Sequence, residues 1–123
     1  MRKYKVLFVD DEEVSRKSFQ SLVDWEKHSL ELVGVLKDGE EAVRFIQTFP
    51  VDILVTDINM PFVDGIELLS AVKEQFLNIR VLLLTGYEFF EYARKAIELK
   101  AFDFLLKPIT QERLMSAIEK SKI

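Results

Sequence analysis

Five polar side chains of chemically reactive types follow short apolar runs in this sequence. Such runs suit strands buried on both faces of a parallel sheet. In an open parallel sheet, ligands bind beyond the carboxyl ends of the strands, where the strand order reverses. We therefore expect these five side chains to converge at one edge of the sheet: Asp10, Asp11, Asp57, Thr85 and Lys107.

This set of side chains predicts chemistry on a phosphoryl group. Three neighbouring carboxylates repel one another, and one of them takes up a proton unless a cation is present. Mg²⁺ meets that need because it binds a few carboxylates together with water. A cation, an ammonium and a hydroxyl together suit a tetrahedral dianion. One of the aspartates could then accept a phosphoryl group as a nucleophile.

Each of these residues also has an ordinary structural interpretation. Asp10 and Asp11 could be acids at the start of a helix, where the helix dipole favours them. Asp57 and Thr85 could be turn residues, and Lys107 could be a solvated lysine. The functional interpretation rests on finding all of these residues together. If each were merely structural, successive strand ends would all carry reactive side chains by accident.

Strands and helices alternate along the chain. Two segments of mixed polarity, 30–36 and 102–106, are predicted to be edge strands, because an edge strand meets water on one side. With three fully apolar runs between them, the order 2-1-3-4-5 places both mixed strands outermost. The expected fold is α/β, a flavodoxin-like doubly wound (βα)₅ sandwich with a five-stranded parallel sheet, in one domain over residues 1–123.

Five helices are predicted from apolar spacing and capping signals. The first carries Val14, Ser18, Leu22 and Trp25 at helical spacing, with Phe19 alongside. Two others begin at capping boxes, in which the N-cap aspartate and a glutamate three residues later bond reciprocally. The remaining signals are the two boxes Asp38–Glu41 and Asp64–Glu67, the apolar positions Phe90, Ala93 and Ile97, and the N-cap Thr110.

Composition excludes several classes of protein. The 123 residues have a net charge of −4, which argues against binding a nucleic acid backbone, and there is no cysteine for a disulfide scaffold or a thiolate site. No apolar run approaches the ~20 residues of a membrane span, and no signal peptide is evident. The acidic loop at 10–13 would repel a phosphate cradle, and no Walker-type loop or G-x-G-x-x-G is present.

These motifs together resemble the receiver domain of two-component response regulators, over essentially the whole chain. The combination is specific, although a single piece such as Lys-Pro is weak. The matching segments are Val9-Asp10-Asp11-Glu12, the run from Asp52 to Pro61, Asp64-Gly65, Leu84-Thr85-Gly86 and the run from Phe104 to Pro108.

The resemblance implies a metal site and a phosphoryl acceptor. Asp57 would be the phosphoacceptor. Asp11 and Asp57 would bind Mg²⁺ directly, together with the backbone carbonyl of Asn59, and Asp10 would act through water. The donor would be the phosphohistidine of a sensor histidine kinase. The chain would not be an enzyme, beyond slow hydrolysis of its own aspartyl phosphate.

The resemblance also implies a switch. Thr85 would hydrogen-bond the phosphoryl oxygen, and Lys107 would pair with Asp57 or its phosphoryl group across a cis Lys107–Pro108 peptide. Phe104 holds the position of the switch aromatic, where it lacks the hydroxyl of the commoner Tyr. The alternative is that Phe104 is a static core residue. Phosphorylation would reshape the face of the fourth helix, fifth strand and fifth helix, and this face would mediate dimerisation.

Finer features resemble receivers joined to AraC-type DNA-binding domains. These are Asp24-Trp25, Leu32-Val33-Gly34 and the run from Gly86 to Ala93. The expectation is a cytoplasmic transcriptional regulator, which contacts DNA only through an output domain beyond Ile123. The alternative is a stand-alone phosphorelay receiver. One departure is Lys100, which stands where the family usually has Gly.

Two other classes compete with a receiver. A phosphatase of haloacid-dehalogenase type also uses an aspartyl phosphate, but it has Asp-x-Asp after the first strand, where this chain has Glu12, and it needs a substrate cap. A flavodoxin-like cofactor carrier is disfavoured by the acidic first loop. A flavin carrier would be yellow, and a phosphatase would turn over many substrate molecules. A receiver would instead take up one phosphoryl group per chain.

Overall fold

The computed structural model describes residues 3–76, 78–86, 98 and 101–122. Within them, five strands form one parallel sheet in the order β2-β1-β3-β4-β5, which confirms the predicted α/β fold and strand order. The strands are β1 (Tyr4–Val9), β2 (Leu30–Leu36), β3 (Ile53–Asp57), β4 (Arg80–Thr85) and β5 (Asp103–Leu106). The helices are α1 (Glu13–Leu22), α2 (Gly39–Thr48), α3 (Gly65–Gln75) and α4 (Gln111–Ser121).

Side chains alternate between the two faces of the sheet and bury a core on each. On one face, Leu7, Leu54 and Leu83 of the inner strands pack with α2 and α3. On the other face, Phe8 and Leu82 pack with α1 and α4. The inner strands β1, β3 and β4 are almost wholly buried, whereas β2 and β5 are mostly half-buried. The mixed segments are therefore the edges, as their composition predicted.

The first helix is shorter than its apolar spacing predicted. It ends at Leu22, so Trp25 lies beyond it, and the Trp25 indole N–H donates to the Gln20 carbonyl at 3.1 Å. Phe19 is the buried contact of this helix: its ring stacks on Phe8 at 3.9 Å and meets Trp25 at 5.2 Å. Val14 was predicted on the buried face, but it is 76% exposed.

The predicted N-caps are present, with one difference. The Asp64 side chain accepts from the Glu67 N–H and Glu67 accepts from the Asp64 N–H, which is a complete capping box. Asp38 likewise accepts from the Glu41 N–H at 2.8 Å, but the Glu41 carboxylate accepts from the N–H of residue 37 and not from that of its N-cap. Thr110 caps α4 by accepting from the N–H of residue 113.

Several sequence predictions fall outside the described residues. These are the helix through Phe90, Ala93 and Ile97, and the departure at Lys100.

In the part of the chain that is described, no helix has the length and apolar character needed to cross a membrane. The predicted cis peptide between Lys107 and Pro108 is present.

Candidate functional site

The sheet register brings the chemically reactive residues to one edge. Val9 pairs with Thr56, so the residues that follow them, Asp10 and Asp57, lie side by side. Asp57 in turn pairs with Leu84, and Thr85 is the next residue of β4. The carboxyl ends of β1, β3 and β4 therefore meet at the point where the strand order reverses, which is where ligands bind in such sheets.

Four carboxylates gather at this edge. An oxygen from each of Asp10, Asp11, Glu12 and Asp57 lies within 4.8 Å of the others. Asp10 is fully buried and Asp57 is 4% exposed, whereas Asp11 and Glu12 are exposed. We name these four residues the acidic cluster. Glu12 is the member that the sequence analysis did not assign to the site, although it stood in the matching motif.

Backbone contacts hold Asp10 in place. Its N–H donates to the Leu36 carbonyl at 3.0 Å, and its carboxylate accepts from the Glu12 N–H at 2.9 Å. The Arg16 guanidinium donates to the Asp10 carbonyl at 2.9 Å. Asp11, the next residue, is exposed at the surface beside this fixed and buried neighbour.

Lys107 supplies a positive charge in the acidic cluster. Its Nζ lies 3.1 Å from Asp57 Oδ2 and 3.4 Å from Asp10 Oδ2. The backbone N–H of Lys107 donates to the Thr85 carbonyl at 2.9 Å, which fixes the start of the turn through Pro108. Burial alone would lower the pKa of Lys107, but the carboxylates of Asp57 and Asp10 outweigh it and raise that pKa. The ammonium is therefore a permanent charge at neutral pH.

Lys107 does not fully neutralise the negative charge of the acidic cluster. Burial, together with the charge of Asp10, raises the pKa of Asp57 from its ordinary 3.8 to about 6, even though Lys107 acts in the opposite direction. Burial and the neighbouring Asp10 also raise the pKa of Asp11. Crowded oxygen ligands with raised pKa values are the donor set that a hard divalent cation stabilises. The residues present therefore fit Mg²⁺.

The loop after β3 brings its backbone close to Asp57. Gly65, the first residue of α3, packs so closely that a Cβ there would overlap the Asp57 carbonyl oxygen and lie 2.7 Å from Ile58 Cα. Asn59 is exposed at the centre of a three-residue turn, in which the Met60 N–H donates to the Ile58 carbonyl at 3.1 Å. Asn59 is thus two residues beyond Asp57 in this loop, and the role of its carbonyl as a metal ligand stays a prediction.

The two predicted switch residues lie on neighbouring strands. Thr85 is buried at the end of β4, and its hydroxyl donates to the Gly86 carbonyl at 3.0 Å. Phe104 pairs with Leu83 across the β4–β5 ladder and is 36% exposed. Phe104 is thus partly exposed in this structure, and its role as the switch aromatic stays a prediction.

Comparison with known proteins identifies relatives among response regulators. The family model described as "Response regulator receiver domain" matches residues 6–119. A response regulatory protein of Staphylococcus epidermidis, SERP2406, is 34% identical over 90% of this chain and 43% of its own length. The transcriptional regulatory protein YesN of Bacillus subtilis is 32% identical over 95% of this chain and 32% of its length. The chain thus spans less than half of these curated relatives.

Solved structures with the same fold include domains of other response regulators. The REC domain of AraT, a response regulator from Geobacillus stearothermophilus, has a TM-score of 0.89 and 37% identity, covering 96% of this chain and 92% of that one. A two-component transcriptional regulator AraC from Clostridium phytofermentans has a TM-score of 0.85 and 30% identity, covering 97% and 92%. The AraC-type resemblance seen in the sequence has a counterpart by name in the second of these structures.

Proposed function

Because the chain belongs to the response regulator receiver domain family, we propose that it accepts a phosphoryl group on Asp57 from the phosphohistidine of a sensor histidine kinase. The observation that carries this proposal is the contact of Lys107 with two buried carboxylates, at 3.1 Å to Asp57 and 3.4 Å to Asp10, inside a cluster of four acids. A buried carboxylate beside a fixed cation is positioned to attack an incoming dianion.

The transfer forms one bond and breaks one. A carboxylate oxygen of Asp57 attacks phosphorus, an O–P bond forms, and the N–P bond to the donor imidazole breaks. The electron pair of that bond stays on the ring nitrogen, so the ring leaves as neutral imidazole when its other nitrogen carries a proton. Such transfers depend mostly on positioning and electrostatics, because the protein has little covalent chemistry to perform.

Each neighbour of Asp57 has a role in that step. Lys107 balances negative charge on the phosphoryl oxygens, and Thr85 is one residue beyond the paired position on β4, where its hydroxyl can turn from Gly86 to a phosphoryl oxygen. Asp11, Asp57 and the Asn59 carbonyl would hold Mg²⁺, with Asp10 acting through water. Bound there, Mg²⁺ offsets the repulsion between the carboxylates and the dianion.

The proposed role is a switch and not a turnover enzyme. The chain is labelled once and hydrolyses its own aspartyl phosphate slowly. Phosphorylation draws Thr85 inward, and Phe104, which is partly exposed, then rotates towards the space that Thr85 leaves. The resulting change favours a homodimer and, in the cytoplasm, controls transcription through an AraC-type output domain. The relatives support that output, since they are longer and two are transcriptional regulators by name.

Labelling with acetyl phosphate and Mg²⁺ tests this function. We expect one phosphoryl group per chain, no labelling after chelation of the metal, and at least a tenfold slower reaction in Lys107→Ala. Lys120→Ala is the matched control, because Lys120 is exposed on α4 and should leave the rate unchanged. Continuous turnover of acetyl phosphate without a stable label, or an unchanged rate in Lys107→Ala, would contradict the proposal.

A further inference from the structure

Phe62 combines two unfavourable features in the loop between β3 and α3. Its side chain is 94% exposed, more than any other large apolar side chain among the described residues. Its backbone φ is +69°, in the left-handed region that bulky residues rarely adopt. The loop lies at the edge of the sheet that carries the acidic cluster, and Phe62 follows Asp57 by only a few residues.

The strained backbone is held in place from both sides. The Val63 N–H donates to the Pro61 carbonyl at 2.9 Å, so Phe62 is the central residue of a γ-turn with positive φ, which is a rare and strained turn. Val63 packs against the start of α2, where a Cβ on Gly39 would lie 2.8 Å from Val63 Cγ1. Val63 is thus packed against the core, whereas the ring of the residue before it is left exposed.

Neither feature benefits the isolated chain. A glycine or an asparagine would adopt the turn at lower cost, and an exposed phenyl ring gains nothing from burial. Strain of this kind, held by its surroundings beside a reactive site, points to a function for the residue. Aromatic residues, phenylalanine included, are also enriched in protein interfaces relative to the rest of the protein surface.

Resting on the proposed function, we propose that Phe62 is the anchor through which the phosphodonor protein docks on this chain. Asp57 is 4% exposed, so a phosphohistidine can reach it only if the donor's own surface presses against the surrounding loops. A histidine side chain spans only a few ångströms, and Phe62 lies in the loop that begins directly after Asp57, at the same edge of the sheet. We therefore expect a protein donor to contact the exposed ring, whereas a small donor such as acetyl phosphate need not touch it.

The test compares a protein donor with a small donor in Phe62→Asn, which keeps the turn and removes the ring. Purified sensor histidine kinases, autophosphorylated with radiolabelled ATP, are first screened for transfer to the wild-type chain, and the fastest becomes the probe. Phe49→Asn is the matched control. Phe49 is 53% exposed, but it follows α2 at the opposite edge of the sheet.

We expect Phe62→Asn to slow transfer from the kinase at least tenfold at subsaturating donor, with less than a twofold change in labelling by acetyl phosphate. We also expect a higher melting temperature, because the turn is relaxed. Phe49→Asn should change neither rate. Phe62→Gly, which also suits the turn, should reproduce the effect.

Other outcomes overturn this inference in distinguishable ways. A docking anchor would be excluded if the kinase labelled Phe62→Asn as fast as the wild type. It would also be excluded if the variant lost the same fraction of its labelling rate with the kinase and with acetyl phosphate. A change confined to the sedimentation of the beryllofluoride-treated chain would assign Phe62 to contact with a second copy. If no kinase labels the wild-type chain although acetyl phosphate does, the protein donor and its anchor both fail. If acetyl phosphate does not label the wild-type chain, the proposed function fails first.

Discussion

Replacing Asp57 with asparagine should stabilise the metal-free protein at neutral pH. The folded state raises the pKa of this carboxyl from 3.8 to about 6, chiefly by burial, so the fold favours the protonated form. Asparagine has nearly the shape of that protonated carboxyl and carries no charge. Asp57→Asn therefore removes the cost of holding a charge at the buried end of β3.

The magnitude and sign follow from proton linkage. A pKa near 6 in place of 3.8 corresponds to about 3 kcal/mol at 1.36 kcal/mol per pH unit, and we expect about 1–3 kcal/mol after counter-ions are allowed for. Between these pH values the folded chain binds the proton and the unfolded chain does not. The stability of the wild-type protein contributed by Asp57 thus falls as pH rises from about 4 to about 6 and is constant above that.

Thermal unfolding in chelator-treated buffer at about pH 4 and about pH 7 measures this effect. We expect Asp57→Asn to melt roughly 3–10 °C above the wild type at the higher pH, and close to it at the lower pH. Asp64→Asn is the control, because Asp64 lies outside the acidic cluster and asparagine is also a good N-cap. The reasoning would be refuted if Asp57→Asn melted below the wild type at neutral pH. It would also be refuted if the difference in melting temperature between the two proteins were the same at both pH values.

Three further predictions test separate parts of the structure. Gly65→Ala should cost about 1–3 kcal/mol or more by denaturant unfolding, because its methyl overlaps the backbone at the end of β3, and Gly34→Ala should cost less, since its nearest contact is the end of a leucine side chain. Millimolar Mg²⁺ should stabilise the fold by about 1–2 kcal/mol when it is ten- to thirtyfold above its Kd, and Asp11→Ala should abolish that shift in melting temperature. Asp38→Ala should lower stability by about 1 kcal/mol, because α2 loses its N-cap bond, and an unchanged denaturation midpoint would contradict this.

The strand order was predictable because burial constrains composition. Inner strands meet apolar residues on both faces, so Val6–Val9, Ile53–Val55 and Val81–Leu84 had to be inside, and the mixed segments had to be edges. Once the order was set, the positions of the two aspartates followed, since Asp10 directly follows β1 and Asp57 is the last residue of the neighbouring β3.

Features that depend on local backbone geometry were not predictable in this way. Helical spacing placed Val14 and Trp25 on one buried stripe, but α1 ends at Leu22 and Trp25 packs back from outside the helix. Glu12 joins the acidic cluster because the loop curls at Asp10, which no periodicity encodes. The positive φ of Phe62 gave no signal at all, because the sequence has an aromatic residue where turn chemistry favours glycine or asparagine.

The central claim is that one phosphoryl group enters this chain at Asp57, and intact mass spectrometry with peptide mapping tests it most directly. After incubation with acetyl phosphate and Mg²⁺, we expect a single phosphoryl group on the peptide that contains Asp57, stable in mild acid and lost in base. Asp57→Asn should carry none, while Asp64→Asn should be labelled like the wild type. A label that persists in Asp57→Asn, or that maps to Asp10 or Asp11, would contradict the account.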